Sequence, residues 1–206
     1  MAKRALSIKN IIDYNPKTLG FTGRWLATMG DPEPYGSWII YGGSGNGKTR
    51  FAVQLVKYLM SFEGLRIAYN GLEEGLSATY RRAVIETGLQ MENQSRFLFW
   101  PRLNLDDMKD ALSRKRSPNV IVIDSVQFLG ITYEEYKELI QKYPKKLFIW
   151  ISHETGSEPT GVAAVKIKYN SDIKVRVHNY YATIVSRYKG KEVFDVWPEK
   201  HINKTK

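Results

Sequence analysis

Residues 42–49 read Gly42-Gly43-Ser44-Gly45-Asn46-Gly47-Lys48-Thr49 and match the spacing G-x-x-x-x-G-K-[ST] at every position. This pattern is typical of a loop that binds the phosphates of a nucleotide. Glycines suit such a loop because a Cβ would block the backbone turn or the close approach of N–H groups to the phosphates. We expect Lys48 to reach the β- and γ-phosphates and Thr49 to offer its hydroxyl to Mg²⁺. The loop and the adjoining Arg50 therefore form a predicted nucleoside triphosphate site.

The segments on either side of the loop have the order that this chemistry requires. The apolar run Ser37-Trp38-Ile39-Ile40-Tyr41 predicts a strand before it, and residues 50–60 carry apolar side chains at helical spacing after it. A helix that begins at about Gly47 directs the positive end of its dipole toward a bound anion. The strand, loop and helix support the phosphate-binding interpretation.

Composition predicts one α/β domain. The chain has 206 residues and 43% hydrophobic content, enough for one sizeable core and short for two. We divide it into a lead-in segment, residues 1–35, and a domain, residues 36–206. It contains no cysteine, which excludes disulfides, thiolate metal sites and a cysteine nucleophile. Neither a signal peptide nor a membrane span is indicated, so a soluble, cytoplasmic protein without membrane contact is expected.

The chain is strongly basic. Its 31 Lys and Arg residues against 21 Asp and Glu give a formal charge of +10, which favours polyanionic partners such as nucleic acid. The most basic segments are Arg114-Lys115-Arg116, Lys145-Lys146 and the lysine-rich end to Lys206. We interpret each of these segments, taken alone, as solvated surface rather than as a binding site.

The order of the remaining elements predicts right-handed βαβ units, and hence a mainly parallel sheet flanked by helices. Predicted strands occupy residues 65–70, 96–100, 119–124 and 147–152, and predicted helices 50–60, 77–88, 106–114 and 133–142. Residues 153–170 are interpreted as a long loop. Alternating apolar and polar residues at 173–177, 182–188 and 192–197 predict C-terminal antiparallel hairpins, with turns at 178–179 and 189–190. Residues 1–36 predict a short helix or strand and an extended lead-in, packed on this subunit or on a neighbour.

Acidic and polar residues follow three of the predicted strands, where phosphates bind in such sheets. Asp124 is expected to hold Mg²⁺ opposite Thr49. Glu73 or Glu74 is a candidate to position or deprotonate an attacking water. His153 is a candidate sensor of the γ-phosphate, and Ser152 or Glu154 could serve instead. A solvated strand-end acid, an exposed helix-start pair and an ordinary loop histidine are the simpler alternatives.

Four segments, in this order, resemble the core of the RecA, RadA and DnaB family of P-loop ATPases, and the resemblance covers residues 36 to about 190. The segments are residues 42–49, Leu72-Glu73-Glu74, Ile123-Asp124-Ser125 and Ile151-Ser152-His153. The resemblance implies a RecA-like fold and ATP hydrolysis, and it points first to Glu73 as the acid that activates water. Members of this family usually have Gln at the position of His153.

Further residues match the family in sequence. Arg82 fits the position of an arginine near the nucleotide base, with Tyr80 as a stacking residue. Arg187 and Lys189, in Ser186-Arg187-Tyr188-Lys189-Gly190, resemble a basic hairpin that reaches the γ-phosphate of the neighbouring subunit. An exposed basic turn is an equally simple interpretation. The resemblance thereby implies a ring or filament whose ATP site lies between subunits.

The resemblance also implies contact with DNA. Residues 153–170 stand at the place of a DNA-binding loop, where Lys166, Lys168 and Tyr169 would supply charge and an aromatic surface. The chain differs from the family in having no separate N-terminal helicase or primase domain, no zinc-binding segment and almost no first DNA loop after Asp124.

The sequence therefore predicts a RecA-like ATPase that uses ATP and Mg²⁺, forms oligomers and acts on DNA in replication, recombination or repair. A regulatory or scaffold ATPase that controls the assembly of a protein partner is one alternative. A small P-loop kinase is the other, although the C-terminal region predicts hairpins where kinases usually have a mobile arginine-rich lid.

Overall fold

Helices and strands alternate along the chain close to the predicted bounds. The computed structural model describes residues 5–202, so the lysine-rich end to Lys206 lies outside it. Within these residues the helices are α1 (Ile8–Ile12), α2 (Gly23–Met29), α3 (Lys48–Met60), α4 (Ala78–Thr87), α5 (Leu105–Ser113), α6 (Val126–Leu129), α7 (Tyr133–Lys142), α8 (Val162–Asn170) and α9 (Pro198–Ile202). The strands are β1 (Gly36–Gly42), β2 (Ile67–Gly71), β3 (Phe97–Trp100), β4 (Val120–Asp124), β5 (Leu147–Thr155), β6 (Glu158–Pro159), β7 (Ile173–His178), β8 (Tyr181–Ser186) and β9 (Phe194–Asp195).

The strands form one sheet in the order β3-β2-β4-β5-β1-β7-β8-β9, with β6 paired to the end of β5. The pairs from β3 through β7 are parallel, whereas β8 and β9 join in antiparallel fashion. This confirms the predicted mainly parallel sheet with C-terminal antiparallel strands. It also shows that β7 pairs in parallel with β1 before the chain turns back. The carboxyl ends of β1, β2, β4 and β5 consequently meet at one edge of the sheet.

The sheet is buried on both faces. In β4, Val120 and Val122 belong to one apolar cluster, and Ile121 and Ile123 belong to the other. Helices α2, α3 and α4 supply the first cluster, and α5, α7 and α8 the second. A strand with two covered faces needs apolar side chains at every position, and this explains the unbroken apolar run that predicts β4.

Part of the N-terminal lead-in belongs to the first apolar cluster. Phe21, Trp25 and Met29 are buried there, and Trp25 stacks on Tyr58 of α3 with ring centroids 5.2 Å apart. Residues 21–29 therefore pack on this chain, which is the first of the two arrangements predicted for the lead-in segment. Helix α1, by contrast, has no buried residue.

The prediction of a long loop over residues 153–170 is wrong. β5 continues to Thr155, β6 folds back beside it, and α8 fills most of the rest. Ala164 and Ile167 lie three positions apart on α8 and are buried in the second cluster. The three residues that suggest a continuous loop have separate roles. Gly156 lies in the turn between β5 and β6, Pro159 belongs to β6, and Gly161 precedes the first residue of α8.

The last predicted strand, residues 192–197, is reduced to the two residues of β9. The turn between β7 and β8 falls at Asn179 and Tyr180, both with positive φ, one position later than predicted. The two-residue strand keeps its place because Phe194 is buried between Trp25 and Phe51, at centroid distances of 4.6 and 5.3 Å.

Candidate functional site

The carboxyl ends of the central strands border a cleft of about 280 Å³. Most residues predicted to bind nucleotide, metal or water line it, and these are Ser44, Gly45, Gly47, Lys48, Thr49, Arg50, Glu73, Glu74, Arg82, Asp124 and His153. They come from the loop after β1, the first turn of α3, the ends of β2, β4 and β5, and helix α4. Parallel strands place their carboxyl ends side by side, so residues far apart in sequence meet in one cleft.

The loop before α3 has the shape of an anion cradle. A Cβ on Gly42 would lie 2.1 Å from the carbonyl oxygen of Val177, and Gly47 has a φ of +99°. Both positions therefore require glycine. Helix α3 begins at Lys48, and Phe51 donates the first N–H of the helix to the carbonyl of Gly47 at 2.9 Å. The N–H groups that precede Phe51 have no acceptor within the helix, so they can bind an anion, and the helix dipole also favours a negative charge there.

The loop is fastened to the turn between β7 and β8. The Asn46 side-chain oxygen accepts the N–H of Asn179 at 2.8 Å, and the Asn46 carbonyl accepts the N–H of Tyr180 at 3.2 Å. Lys48 donates from Nζ to the Gly43 carbonyl at 3.0 Å. Burial lowers the pKa of Lys48, and the nearby acids, Asp124 foremost, act in the opposite direction. A phosphate would replace the carbonyl as the partner of this ammonium group.

Asp124 ends β4 beside the loop. Tyr69 donates its hydroxyl to Asp124 Oδ2 at 2.6 Å. Burial raises the pKa of the Asp124 carboxyl to about 6, the Tyr69 hydrogen bond opposes that rise, and the Glu73 carboxylate adds to it. No cluster of three His, Cys, Asp or Glu side chains suited to a metal occurs among residues 5–200. The Thr49 hydroxyl and the Asp124 carboxylate nevertheless fit Mg²⁺, which commonly takes one or two protein oxygens and completes its shell with phosphates and water.

The two candidate glutamates have different surroundings. Glu73 Oε2 lies 3.1 Å from His153 Nε2, within hydrogen-bonding distance. Glu74 is exposed and accepts the Ser77 hydroxyl at 2.8 Å, at the start of α4. Glu73 therefore faces the end of β5 across the cleft, while Glu74 accepts a hydrogen bond from Ser77, the residue that caps α4.

His153 belongs to a network that the sequence does not indicate. Gln127, in α6, accepts the His153 N–H at 3.1 Å and donates to the Ser152 hydroxyl at 2.9 Å and to the Thr160 carbonyl at 2.7 Å. One side chain thus joins the end of β4, the end of β5 and the segment before α8. The only available signal was a polar residue three positions after Asp124, and a single sequence gives no partner for it.

The two alternatives to His153 are engaged away from the cleft. Ser152 is buried and donates its hydroxyl to the His153 carbonyl at 2.9 Å. Glu154 forms an ion pair with Arg176, with Oε1 and Nη2 2.5 Å apart. His153 is therefore the member of this segment that lines the cleft.

Arg50, Tyr180 and Trp197 form one wall of the cleft, which is therefore aromatic and basic. The Arg50 guanidinium lies 4.1 Å from the centre of the Trp197 ring and pairs with Glu86. Trp197 meets Tyr180 edge to face, with ring centroids 5.5 Å apart, and both line the cleft. Sequence reasoning missed Tyr180, Trp197 and Glu86. The sequence predicts Trp197 only as the last residue of a strand, because nothing local to it shows that β9 returns to α3.

Six predicted site residues lie elsewhere on this chain. Tyr80 is buried with its ring centroid 4.8 Å from that of Tyr69 and 5.0 Å from that of Phe99, so it is a core residue and cannot stack on a base. The prediction for Tyr80 is corrected because α4 turns this side chain toward the sheet. The other five are Lys166, Lys168, Tyr169, Arg187 and Lys189.

Those four cations are placed on α8 and beside the end of β8. Lys168 pairs with Glu158, Nζ to Oε2 at 2.7 Å, and Lys166 lies over the Tyr133 ring at 5.0 Å. Tyr169, also on α8, is exposed. Ser186 at the end of β8 pairs with Ile173 at the start of β7, so Arg187 and Lys189 follow at the edge opposite to the loop. Roles for Arg187 and Lys189 across a subunit interface stay a prediction.

Replacing Trp197 by Ala is expected to weaken ATP binding about tenfold, because stacking of a base on an aromatic ring contributes about 1–3 kcal/mol. A triphosphate bound along the loop toward Glu73 would leave its base at the wall formed by Arg50 and Trp197. Binding is measured by titration with a fluorescent ATP analogue. Trp197→Phe is the matched control and should bind nearly as the wild type does. Equal affinity of the Ala and Phe variants would show that the base lies elsewhere.

No helix in the described part of the chain has the length and apolar character needed to cross a bilayer.

Neither a protein-family model nor a curated protein sequence matches this chain. Solved structures do. The crystal structure of the flagellar accessory protein FlaH from Methanocaldococcus jannaschii aligns over 87% of this chain and 94% of its own, with a TM-score of 0.58 and 14% sequence identity. A likeness at that identity reports on architecture and not on activity. Together with the strand order and the phosphate-binding loop, it shows that this chain has the RecA-like α/β fold.

Proposed function

We propose that this chain is a Mg²⁺-dependent ATPase of the RecA-like kind. The observation that carries the proposal is the meeting of Lys48, Asp124 and Glu73 in one cleft at the N-terminus of α3. Lys48 supplies a cation for the phosphates, and Asp124 supplies an oxygen ligand for a metal. Glu73 supplies a carboxylate that can accept a proton from water.

The residues divide the work of hydrolysis. Lys48 and the N–H groups of the loop hold the β- and γ-phosphates and offset the charge that develops on them. Thr49 and Asp124 would hold Mg²⁺, which neutralises phosphate charge when it is bound. Glu73 orients the attacking water and accepts its proton. His153, 3.1 Å from Glu73, fixes the direction of that carboxylate and links it to Gln127.

We propose that subunits assemble with ATP between them, that the partner is DNA, that the pathway is replication, recombination or repair, and that the protein acts in the cytoplasm. The charge of +10 supports a polyanionic partner.

A second candidate function is a regulatory ATPase that controls the assembly of a protein partner. It is favoured by the contact between Glu73 and His153, which gives the proposed base a partner within the protein. A small kinase is less favoured, because residues 173–195 extend the sheet where a kinase would carry a mobile lid.

Phosphate release from ATP tests the proposal. Wild type and Lys48→Ala are compared with and without single-stranded and duplex DNA at low salt. Release that requires Mg²⁺ and is lost in Lys48→Ala supports the ATPase, and stimulation by DNA supports the nucleic-acid partner. Slow release that DNA does not change would favour the regulatory ATPase. Transfer of phosphate to a small acceptor, with no release to water, would favour the kinase.

A further inference from the structure

The edge of the sheet opposite to the ATP cleft brings together two basic segments that are separate in sequence. Residues 114–116 lie just before β4, and residues 145–146 just before β5. Arg66 comes just before β2. These three strands are adjacent and parallel, with Val120 opposite both Ile67 and Leu147. Their amino ends are therefore level, and the residues that precede them share one surface.

We call this the amino-edge surface. It consists of Arg66, Arg114, Lys115, Arg116, Lys145 and Lys146.

Hydrogen bonds hold the segments of the amino-edge surface against one another. The Arg66 guanidinium donates to the Arg116 carbonyl. Lys146 Nζ donates to the Ser117 hydroxyl at 2.9 Å and to the Pro118 carbonyl at 2.6 Å. Asn119 accepts the Arg66 N–H at 3.0 Å through its side chain. The cations thus stand on a fixed support rather than on independent loops.

The cations of the amino-edge surface differ from several others among residues 5–200 in having no carboxylate partner. Ion pairs elsewhere join Arg50, Lys168, Arg176 and Arg187 to carboxylates, yet none of the six amino-edge cations forms one in the part of the chain that the structure describes. Arg114, Lys115, Arg116 and Lys145 are exposed. Like charges held close together repel, so a surface of this kind gains stability from an anionic partner.

The composition of the surface favours phosphates over a folded protein as that partner. Protein interfaces have a core of apolar and aromatic side chains. None of the large apolar side chains exposed among residues 5–200 belongs to residues 65–66, 113–119 or 142–147. Arg and Lys beside Ser117 and Asn119 are instead the residue types that contact nucleic-acid phosphates.

We propose that the amino-edge surface binds the phosphodiester backbone of nucleic acid. The surface lies at the opposite ends of the strands from Asp124 and the ATP cleft, about 13 Å away along β4. It shares no residue with α8, which carries Lys166 and Tyr169, the residues expected from sequence to contact DNA. The inference rests on the nucleic-acid part of the proposed function and is independent of ATP hydrolysis.

Fluorescence anisotropy with labelled single-stranded DNA, duplex DNA and RNA tests the proposal over a range of salt concentrations. The variant is Arg114→Gln/Lys115→Gln/Arg116→Gln, and the matched control is Lys9→Gln/Lys17→Gln/Lys191→Gln, which removes the same three charges elsewhere. The amino-edge variant is expected to lose about tenfold or more in affinity at low salt, and the slope of log K against log salt should become shallower by about two to three. The control should change less than twofold.

A third variant, Lys166→Gln/Tyr169→Ala, tests whether α8 is the binding surface instead. ATP hydrolysis without nucleic acid is measured for every variant. Basal hydrolysis at the wild-type rate shows that the amino-edge variant is folded. Equal loss in the amino-edge and control variants would assign the effect to net charge and overturn the proposal, as would loss confined to the α8 variant. Failure of the wild type to bind any of the three nucleic acids would overturn it together with the nucleic-acid part of the proposed function. If the wild type hydrolyses no ATP but still binds through the amino edge, the ATPase proposal fails and this one stands.

Discussion

Replacing Glu73 by Gln is expected to lower the turnover number for ATP by about 10²–10⁴-fold, the usual contribution of a positioned general base. The substitution keeps the size of the side chain, and the amide oxygen of glutamine can still receive a hydrogen bond from His153, 3.1 Å away. What it removes is the ability to accept a proton from water. Nucleotide affinity should stay within a few-fold of wild type, since Glu73 contributes no positive charge to the phosphates.

Glu74→Gln is the matched control for this measurement. Both glutamates line the cleft, but Glu74 accepts the Ser77 hydroxyl at the start of α4. Its substitution should reduce single-turnover hydrolysis by less than about threefold, because Glu74 accepts the Ser77 hydroxyl and is not the residue expected to take a proton from water. Single-turnover measurement is needed because it separates the chemical step from product release. A larger loss in Glu74→Gln than in Glu73→Gln would exchange the two roles.

The elements of the sheet could be predicted because their signals are local. β4 shows this well, since Val120 to Ile123 must be apolar on both faces and Asp124 then ends the strand. The prediction failed for residues 153–170 because their glycines and proline suggest a loop, whereas burial of Ala164 and Ile167 against the sheet stabilises a helix. That burial depends on tertiary contacts, which no local pattern encodes.

The residues of the candidate site likewise fall into those that local sequence patterns predict and those that depend on tertiary contacts. The phosphate loop and the acids at strand ends could be predicted, because strand order alone brings them to one edge. Tyr80 was placed wrongly because the direction of a side chain on α4 depends on where that helix packs. Gln127 and Trp197 were missed because their partners, His153 and Arg50, lie far away in sequence.

Replacing Phe194 by Ala is expected to lower the free energy of unfolding by about 3–5 kcal/mol, the usual cost of truncating a buried aromatic side chain. Phe194 is 2% exposed and joins three parts of the chain. Its ring contacts Trp25 of the lead-in and Phe51 of α3, and the Arg24 guanidinium lies 4.4 Å from its centre. Val193→Ala is the neighbouring control, and at 58% exposure it should cost less than about 0.5 kcal/mol. Chemical denaturation followed by circular dichroism gives both values.

The same substitution should also weaken ATP binding, although Phe194 does not line the cleft. Val196, two residues later, donates its N–H to the Tyr180 carbonyl at 2.8 Å and accepts the Gln54 side chain at 2.9 Å, which places Trp197 beside Arg50. Loss of the Phe194 ring releases the segment on which this wall depends. We therefore expect Phe194→Ala to raise the Kd for ATP about as much as Trp197→Ala does, and the double variant to add little, because both act on one wall. If the losses of ATP affinity in the two single variants add up in the double variant, Phe194 and Trp197 act on nucleotide binding independently. The packing of β9 would then not be what positions the Trp197 ring.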